Sequence, residues 1–273
     1  MPELVEVEVA RRRLMEWTAD RPVASLSIHD EKRITGEWRR MEGARVVRWE
    51  RRGKLLLGHL QSSFVLLSHL GMTGKWVADP PPERAHQRLV LRFSGTGPDT
   101  VAFLDTRRFG FCRLVPSDAL AADKAVATLG PDAWDHSWTG EALQAVVGHR
   151  RVAWKQALME QSRIAGLGNI AVCEMGWRAE VHPHRSCVSL TAEEWNRLVT
   201  AMRAHLDYLL REEDVDEIRY LSEGPGPNPF LCYGRAGQHC SRCNERVERA
   251  VLAGRPTFWC PGCQPIETGM GCV

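Results

Sequence analysis

Pro2, Glu3 and Glu6 fall within one helical turn of each other at the start of the chain. If Met1 is removed, Pro2 becomes the terminus and its nitrogen a secondary amine. Such an amine can attack an electrophilic carbon and form an iminium, provided that it is unprotonated and lies beside acid–base groups. Glu3 is covalently adjacent, and Glu6 lies one turn further along. The same residues also suit an ordinary helix start. A proline there has its φ already set and no donor to lose, and Glu3, Glu6 and Glu8 favour the positive end of the helix dipole.

A second group of residues could bind metal. Cys240-x2-Cys243 and Cys260-x2-Cys263 are separated by 16 residues. Each pair can grip one ion from a tight turn, and two pairs complete a tetrahedral four-thiolate site. That donor set selects a single structural Zn2+, closed to solvent. The alternating residues between the pairs predict a hairpin turning at Ala253-Gly254-Arg255-Pro256, with Arg255 at its tip. Redox chemistry at the two pairs lacks a βαβ setting. The other five of the nine cysteines are scattered, and no secretion signal precedes them, which argues against a disulfide framework.

Four further clusters carry charge or apolar tips. Arg51-Arg52-Gly53-Lys54 places three cations around a turn, suited to phosphate or to solvent. His69-Leu70-Gly71-Met72-Thr73-Gly74 is a tight loop that would expose Met72, as an unstacking wedge requires, although burial after a strand is the plainer expectation. Asp105-Thr106-Arg107-Arg108-Phe109-Gly110 offers a second tip, where Arg107 or Phe109 could fill the void that an extruded base leaves. Gly166-Leu167-Gly168-Asn169 opens a helix with free backbone amides, a natural phosphate seat to which Asn169 adds a donor. Helical hairpins of no such function look similar.

These clusters need elements to hold them. At 273 residues the chain can form two domains. Residues 2–17 read as an amphipathic helix. Residues 23–115 read as many short strands, a sandwich or barrel pattern, with runs at 24–28, 44–49, 55–57, 64–67, 89–93, 101–104 and 111–115. A polar connection follows to about Asp135, and from Thr139 to Arg219 the pattern turns helical. Gly224-Pro225-Gly226-Pro227-Asn228-Pro229 cannot continue a helix. No apolar run approaches the ~20 residues that span a bilayer, and the N-terminus has no signal-peptide pattern. A cytoplasmic, nucleoid-associated monomer is expected. Net charge is +2 but uneven: residues 1–115 carry 20 Lys/Arg against 14 Asp/Glu, residues 116–233 carry 11 against 17, and residues 234–273 carry 5 against 3. Basic ends permit a localised nucleic-acid face.

In this order, PELVEVE, RRGKLLL, HLGMTG, DTRRFG, GLGNI, YGR and GRPTFWCPGC resemble the formamidopyrimidine-DNA glycosylase / endonuclease VIII family over nearly the whole chain. The start is closer to the formamidopyrimidine branch. The resemblance implies an α+β fold. It comprises a catalytic domain (1–115) of an N-terminal helix plus a β-sandwich, a linker (116–135), a helix-two-turn-helix domain (136–233), a four-Cys zinc-finger β-hairpin (234–264) and a tail (265–273). It implies a bifunctional glycosylase/AP lyase acting on double-stranded DNA with damaged bases or abasic sites. Pro2 would then be the nucleophile, Glu3 the acid that helps open the sugar ring, and Glu6 a lesion-pocket residue. Lys54, Asn169 and Arg255 would hold phosphates, Lys54 within the catalytic set, and Met72, Arg107 and Phe109 would refill the gap. Cys240, Cys243, Cys260 and Cys263 would bind zinc.

The chain departs from the family pattern at Val5, Thr106 and Ala171, where proline, proline and tyrosine are usual. Gln87-Arg88 replaces an acidic, HD-like stretch, and the proline-rich segment before Tyr233 looks shortened. These departures bear on lesion choice rather than on the proposed nucleophile. A non-catalytic binder of distorted DNA on the same scaffold is the main rival. An endonuclease VIII-like enzyme for oxidised pyrimidines is another, and an unrelated zinc-ribbon RNA-binding protein fits the β-rich first half poorly.

Overall fold

The computed structural model describes residues 2–212 and 228–266. They divide into two compact units, one running to Thr128 and the other beginning at Leu129.

The first unit opens with α1 (Leu4–Thr18), for which Glu3 is the N-cap. Leu4, Val5, Val7, Ala10 and Leu14 are buried along it. The helix therefore starts two residues later than its apolar pattern suggests, and Pro2 lies just ahead of it. Nine strands follow: β1 (Val23–Ile28), β2 (Ile34–Gly36), β3 (Val46–Arg52), β4 (Leu55–Leu60), β5 (Phe64–His69), β6 (Lys75–Ala78), β7 (Gln87–Phe93), β8 (Thr100–Leu104) and β9 (Phe111–Pro116). They form a four-stranded sheet, β1-β7-β8-β6, and a five-stranded sheet, β2-β9-β5-β4-β3. All pairings are antiparallel except β2 with β9. Trp76 of the first sheet joins the two. Its indole donates to Ser68 Oγ on β5 at 3.1 Å, and its ring centroid lies 6.4 Å from that of Trp49 on β3. Trp49 in turn donates to Thr18 Oγ1 of α1 at 2.9 Å, which seats the helix on the five-stranded sheet.

Two strands were not visible in the sequence. β2 and β6 have three and four residues, and β6 directly follows the glycine loop that dominates its local pattern. The stretch after β9 is not a bare connection either: it forms a 3-10 turn (Ser117–Ala122) and α2 (Lys124–Ala127).

The second unit contains α3 (Gly140–Val147), α4 (Trp154–Leu158), α5 (Asn169–Ala179) and α6 (Ala192–Glu212), then β10 (Glu248–Leu252) and β11 (Arg255–Trp259). α6 buries one face through Trp195, Leu198, Val199, Met202, Leu206 and Leu209. β10 and β11 pair from Glu248↔Trp259 to Leu252↔Arg255. The turn is thus Ala253-Gly254, and Arg255 is the first residue of β11 rather than the tip. Residues 224–227 of the expected proline-rich loop lie outside the described residues.

Candidate active site and metal centre

The start of α1 buries its chemistry. Pro2 is buried, and Glu3 and Glu6 are each only 5% exposed. The Glu3 N–H donates to Glu6 Oε2 at 3.0 Å, so the two residues close the first turn on each other. Burial, and then the charge of Glu3, raise the pKa of Glu6 above the ordinary carboxylate value. Glu8 goes the other way. Burial would raise its pKa, but hydrogen bonds from Arg11 and Arg12, with the charges of Arg11 and Arg51, outweigh this and lower it. Paired acids in unlike environments are the usual equipment of acid–base chemistry.

Arg51 reaches Glu8 at 3.6 Å and donates to the Gly53 carbonyl at 3.0 Å, which ties the β3–β4 turn to α1. That turn presents Lys54, half-buried. β4 pairs with β5 at Leu55↔His69, so Lys54 comes alongside His69. Burial, and then the charge of Lys54, lower the pKa of His69 to about 4. His69 Nδ1 accepts the Gly71 N–H at 3.0 Å, so the neutral ring carries its hydrogen on Nε2.

The two proposed filling loops are one construction. Gly71 has φ +64, and a Cβ there would lie 2.4 Å from the Gly110 nitrogen, so the loops touch backbone to backbone. Asp105, 1% exposed, sits between them. Its Oδ1 accepts from Thr73 Oγ1 at 2.6 Å and from the Arg107 N–H at 3.2 Å, and its Oδ2 accepts from the Gly110 N–H at 2.7 Å. Phe109 is 48% exposed, with the Arg107 guanidinium 5.0 Å from its ring centroid. Met72 is half-buried in the adjacent loop, between the exposed wedge and the burial that its sequence context left open.

In the second unit, Gly166 (φ +110) donates its N–H to Gln161 Oε1 at 2.9 Å, while Gln161 Nε2 donates to the Leu167 carbonyl at 2.8 Å. One glutamine thus shapes the glycine loop that delivers Asn169 as the first residue of α5. Asn169 Oδ1 accepts from Lys155 Nζ at 2.7 Å, and Asn169 Nδ2 donates to the Pro256 carbonyl at 2.9 Å. Pro256 adjoins Arg255, so β11 sets Arg255 one residue along the chain from this contact. Lys155 is wholly buried. Sequence reasoning left it out of the site, although a lysine amid the apolar run Trp154–Leu158 was the available signal. Glu174 was missed too: its carboxylate accepts the N–H groups of Leu231, Cys232 and Tyr233 at 3.1, 2.8 and 2.9 Å. It anchors the segment leading to Tyr233-Gly234-Arg235.

The Sγ atoms of Cys240, Cys243, Cys260 and Cys263 all lie within 4.8 Å of one another. Separations of 3.3 Å (Cys243–Cys260), 3.5 Å (Cys243–Cys263) and 3.8 Å (Cys240–Cys263) approach the ~3.8 Å edge of a tetrahedron with metal–sulfur bonds near ~2.3 Å. The Trp177 indole N–H donates to Cys240 Sγ at 3.3 Å, as thiolate ligands require of their surroundings. The residues therefore fit a four-coordinate soft metal ion. Cys173 and Cys232 are buried in the same cluster, beside these ligands.

A helix laid on a β-sandwich, then a helical unit closed by a four-thiolate hairpin, defines a two-part class of proteins. Residues 1–112 match the formamidopyrimidine-DNA glycosylase N-terminal domain and residues 129–215 the formamidopyrimidine-DNA glycosylase H2TH domain. The chain is 35% identical over 289 residues to the formamidopyrimidine-DNA glycosylase of Synechococcus elongatus, covering 99% of this chain and all of that one. The crystal structure of MutM (Fpg) from Thermus thermophilus superposes with a TM-score of 0.84 at 33% identity, covering 97% of this chain and 100% of that one. MutM in complex with DNA containing carbocyclic 8-oxo-G gives a TM-score of 0.85 at 28% identity, with the same coverage. The chain belongs to the formamidopyrimidine-DNA glycosylase family.

Proposed function

We propose that this protein is a base-excision repair enzyme that removes oxidised purines from double-stranded DNA and then cuts the strand. The observation that carries this reading is the buried Pro2, set two residues ahead of α1, with the buried carboxylates of Glu3 and Glu6 in the turn that follows it.

With Met1 removed, the Pro2 nitrogen attacks C1′ of the extruded nucleotide. The N–C1′ bond forms as the glycosidic bond breaks, and the base leaves with a proton. Glu3 protonates the ring oxygen as the sugar opens to the iminium. Glu6, its pKa raised, remains a proton-bearing group in the lesion pocket over a wider pH range than a surface glutamate. The iminium acidifies the C2′ hydrogen, so loss of that proton expels the 3′ phosphate, and a second elimination expels the 5′ phosphate. Lys54, Asn169 and Arg255 hold flanking phosphates, and Met72, Arg107 and Phe109 fill the gap left in the stack. Cys240, Cys243, Cys260 and Cys263 hold Zn2+, which supplies a structural cross-link and no reacting position. The relative whose complex contains 8-oxo-G supports the purine assignment.

Borohydride trapping tests the reading. Protein incubated with duplex DNA bearing 8-oxoguanine or an abasic site is expected to give a covalent adduct, and Pro2→Gly is expected to abolish it. Binding without an adduct on any lesion, ring-opened purines included, would favour the non-catalytic binder. Adducts confined to oxidised pyrimidines would move the substrate class to that of the endonuclease VIII branch.

A further inference from the structure

Asp30 follows β1, away from the proposed chemistry, yet its side chain is only 1% exposed. Its two oxygens accept Nε and Nη2 of Arg108 at 2.7 and 2.8 Å, a bidentate match of planar carboxylate to planar guanidinium. The Asp30 carbonyl accepts the N–H groups of Arg33 and Ile34 at 3.0 and 2.9 Å, so the turn into β2 fixes Asp30 itself. Arg108 sits in the left-handed region at φ +59. A side chain other than glycine adopts that conformation only where its surroundings over-determine it.

The consequence lies on either side of Arg108. The left-handed kink presents Arg107 and Phe109 together, with the guanidinium of one over the ring of the other. Asp105 holds the ends of this loop through the Arg107 and Gly110 amides, and Arg88 Nε donates to the Asp105 carbonyl at 2.9 Å. Asp30 instead grips the residue at the kink.

We infer that Asp30 is a positioning residue for gap filling: through Arg108 it holds the kink that offers Arg107 and Phe109 to the duplex as a unit. The inference rests on the proposed gap-filling roles of those two residues. It separates two steps that share one protein. Filling the stack depends on Asp30. Attack by Pro2 on an abasic sugar in single-stranded DNA, which has no partner strand to disturb, does not.

The test compares wild type, Asp30→Asn, Asp30→Ala and Asp30→Glu. Excision of 8-oxoguanine from duplex DNA is expected to fall about tenfold in Asp30→Ala. Asp30→Asn should fall less, and Asp30→Glu should recover part of the loss. Trapping on a single-stranded abasic oligonucleotide should stay within about twofold of wild type. A 2-aminopurine placed opposite the lesion should lose its fluorescence change on binding. Equal losses on single- and double-stranded substrates would reveal a general folding defect and overturn the inference, as would an unchanged 2-aminopurine signal. If wild type forms no adduct at all, the proposed chemistry fails instead, and the 2-aminopurine signal still decides the role of Asp30.

Discussion

Glu6 is buried, close to a second carboxylate, and bonded to a backbone N–H. Burial and the charge of Glu3 outweigh that bond, so the folded protein keeps the Glu6 proton at pH values where the unfolded chain has released it. The sign for stability follows. As pH rises from the ordinary value of 4.5 towards the raised one, the unfolded state loses a proton that the folded state keeps, so stability falls and then levels. Glu6→Gln retains an acceptor for the Glu3 N–H but cannot ionise. Its stability relative to wild type is expected to increase through that window, and urea midpoints across the acidic range measure it. A relative stability that is flat with pH would mean that Glu6 titrates normally. The carboxylates of α1 were legible in the sequence because they are neighbours in it. Asp30 with Arg108, 78 positions apart, and Glu174 with Cys232, 58 apart, were not, because no local spacing encodes them.

Among the elements, the glycine-punctuated loops repaid sequence reading best. The 69–74 and 105–110 segments were each recognisable, but their union was not. It depends on β5 and β9 pairing at His69↔Phe111, which brings the end of one loop beside the end of the other. Thr73 and Asp105 then lock them together. Gly71→Ala tests the union. The added Cβ would need a left-handed φ, at about 1–2 kcal/mol, and would collide with the Gly110 backbone as well. A loss of at least ~2 kcal/mol in unfolding free energy is expected, with a larger fall in duplex affinity than in single-strand trapping. A variant as stable as wild type would show that the loops separate freely. Strand β2 illustrates the opposite limit. Ile34–Gly36 is too short for a period, and its partner in the parallel pairing, β9, is far away in sequence.

For the molecule as a whole, each compact unit carries its own part of the proposed work. The first has the nucleophile and the filling loops, the second the phosphate seat and the metal hairpin. Within the second unit, the metal cage, β11 and α5 are mechanically joined: Trp177 donates to Cys240, Gln264 Nε2 donates to the Val181 carbonyl at 2.9 Å, and Asn169 donates to Pro256. If the four thiolates hold zinc as proposed, a chelator is therefore expected to lower both the melting temperature and the affinity for DNA, and added Zn2+ to restore both. Undiminished affinity after verified metal loss would show that the hairpin stands unaided. The Lys155–Asn169–Pro256 chain has one more consequence. An ammonium can give hydrogen bonds but never receive them, so the carboxamide oxygen must face inward and its orientation admits no flip. With one amide hydrogen committed to Pro256, a single hydrogen remains that Asn169 can turn towards a phosphate. In the proposed phosphate seat the Asn169 side chain thus offers one donor, whose direction is dictated from beneath by a lysine that solvent never reaches.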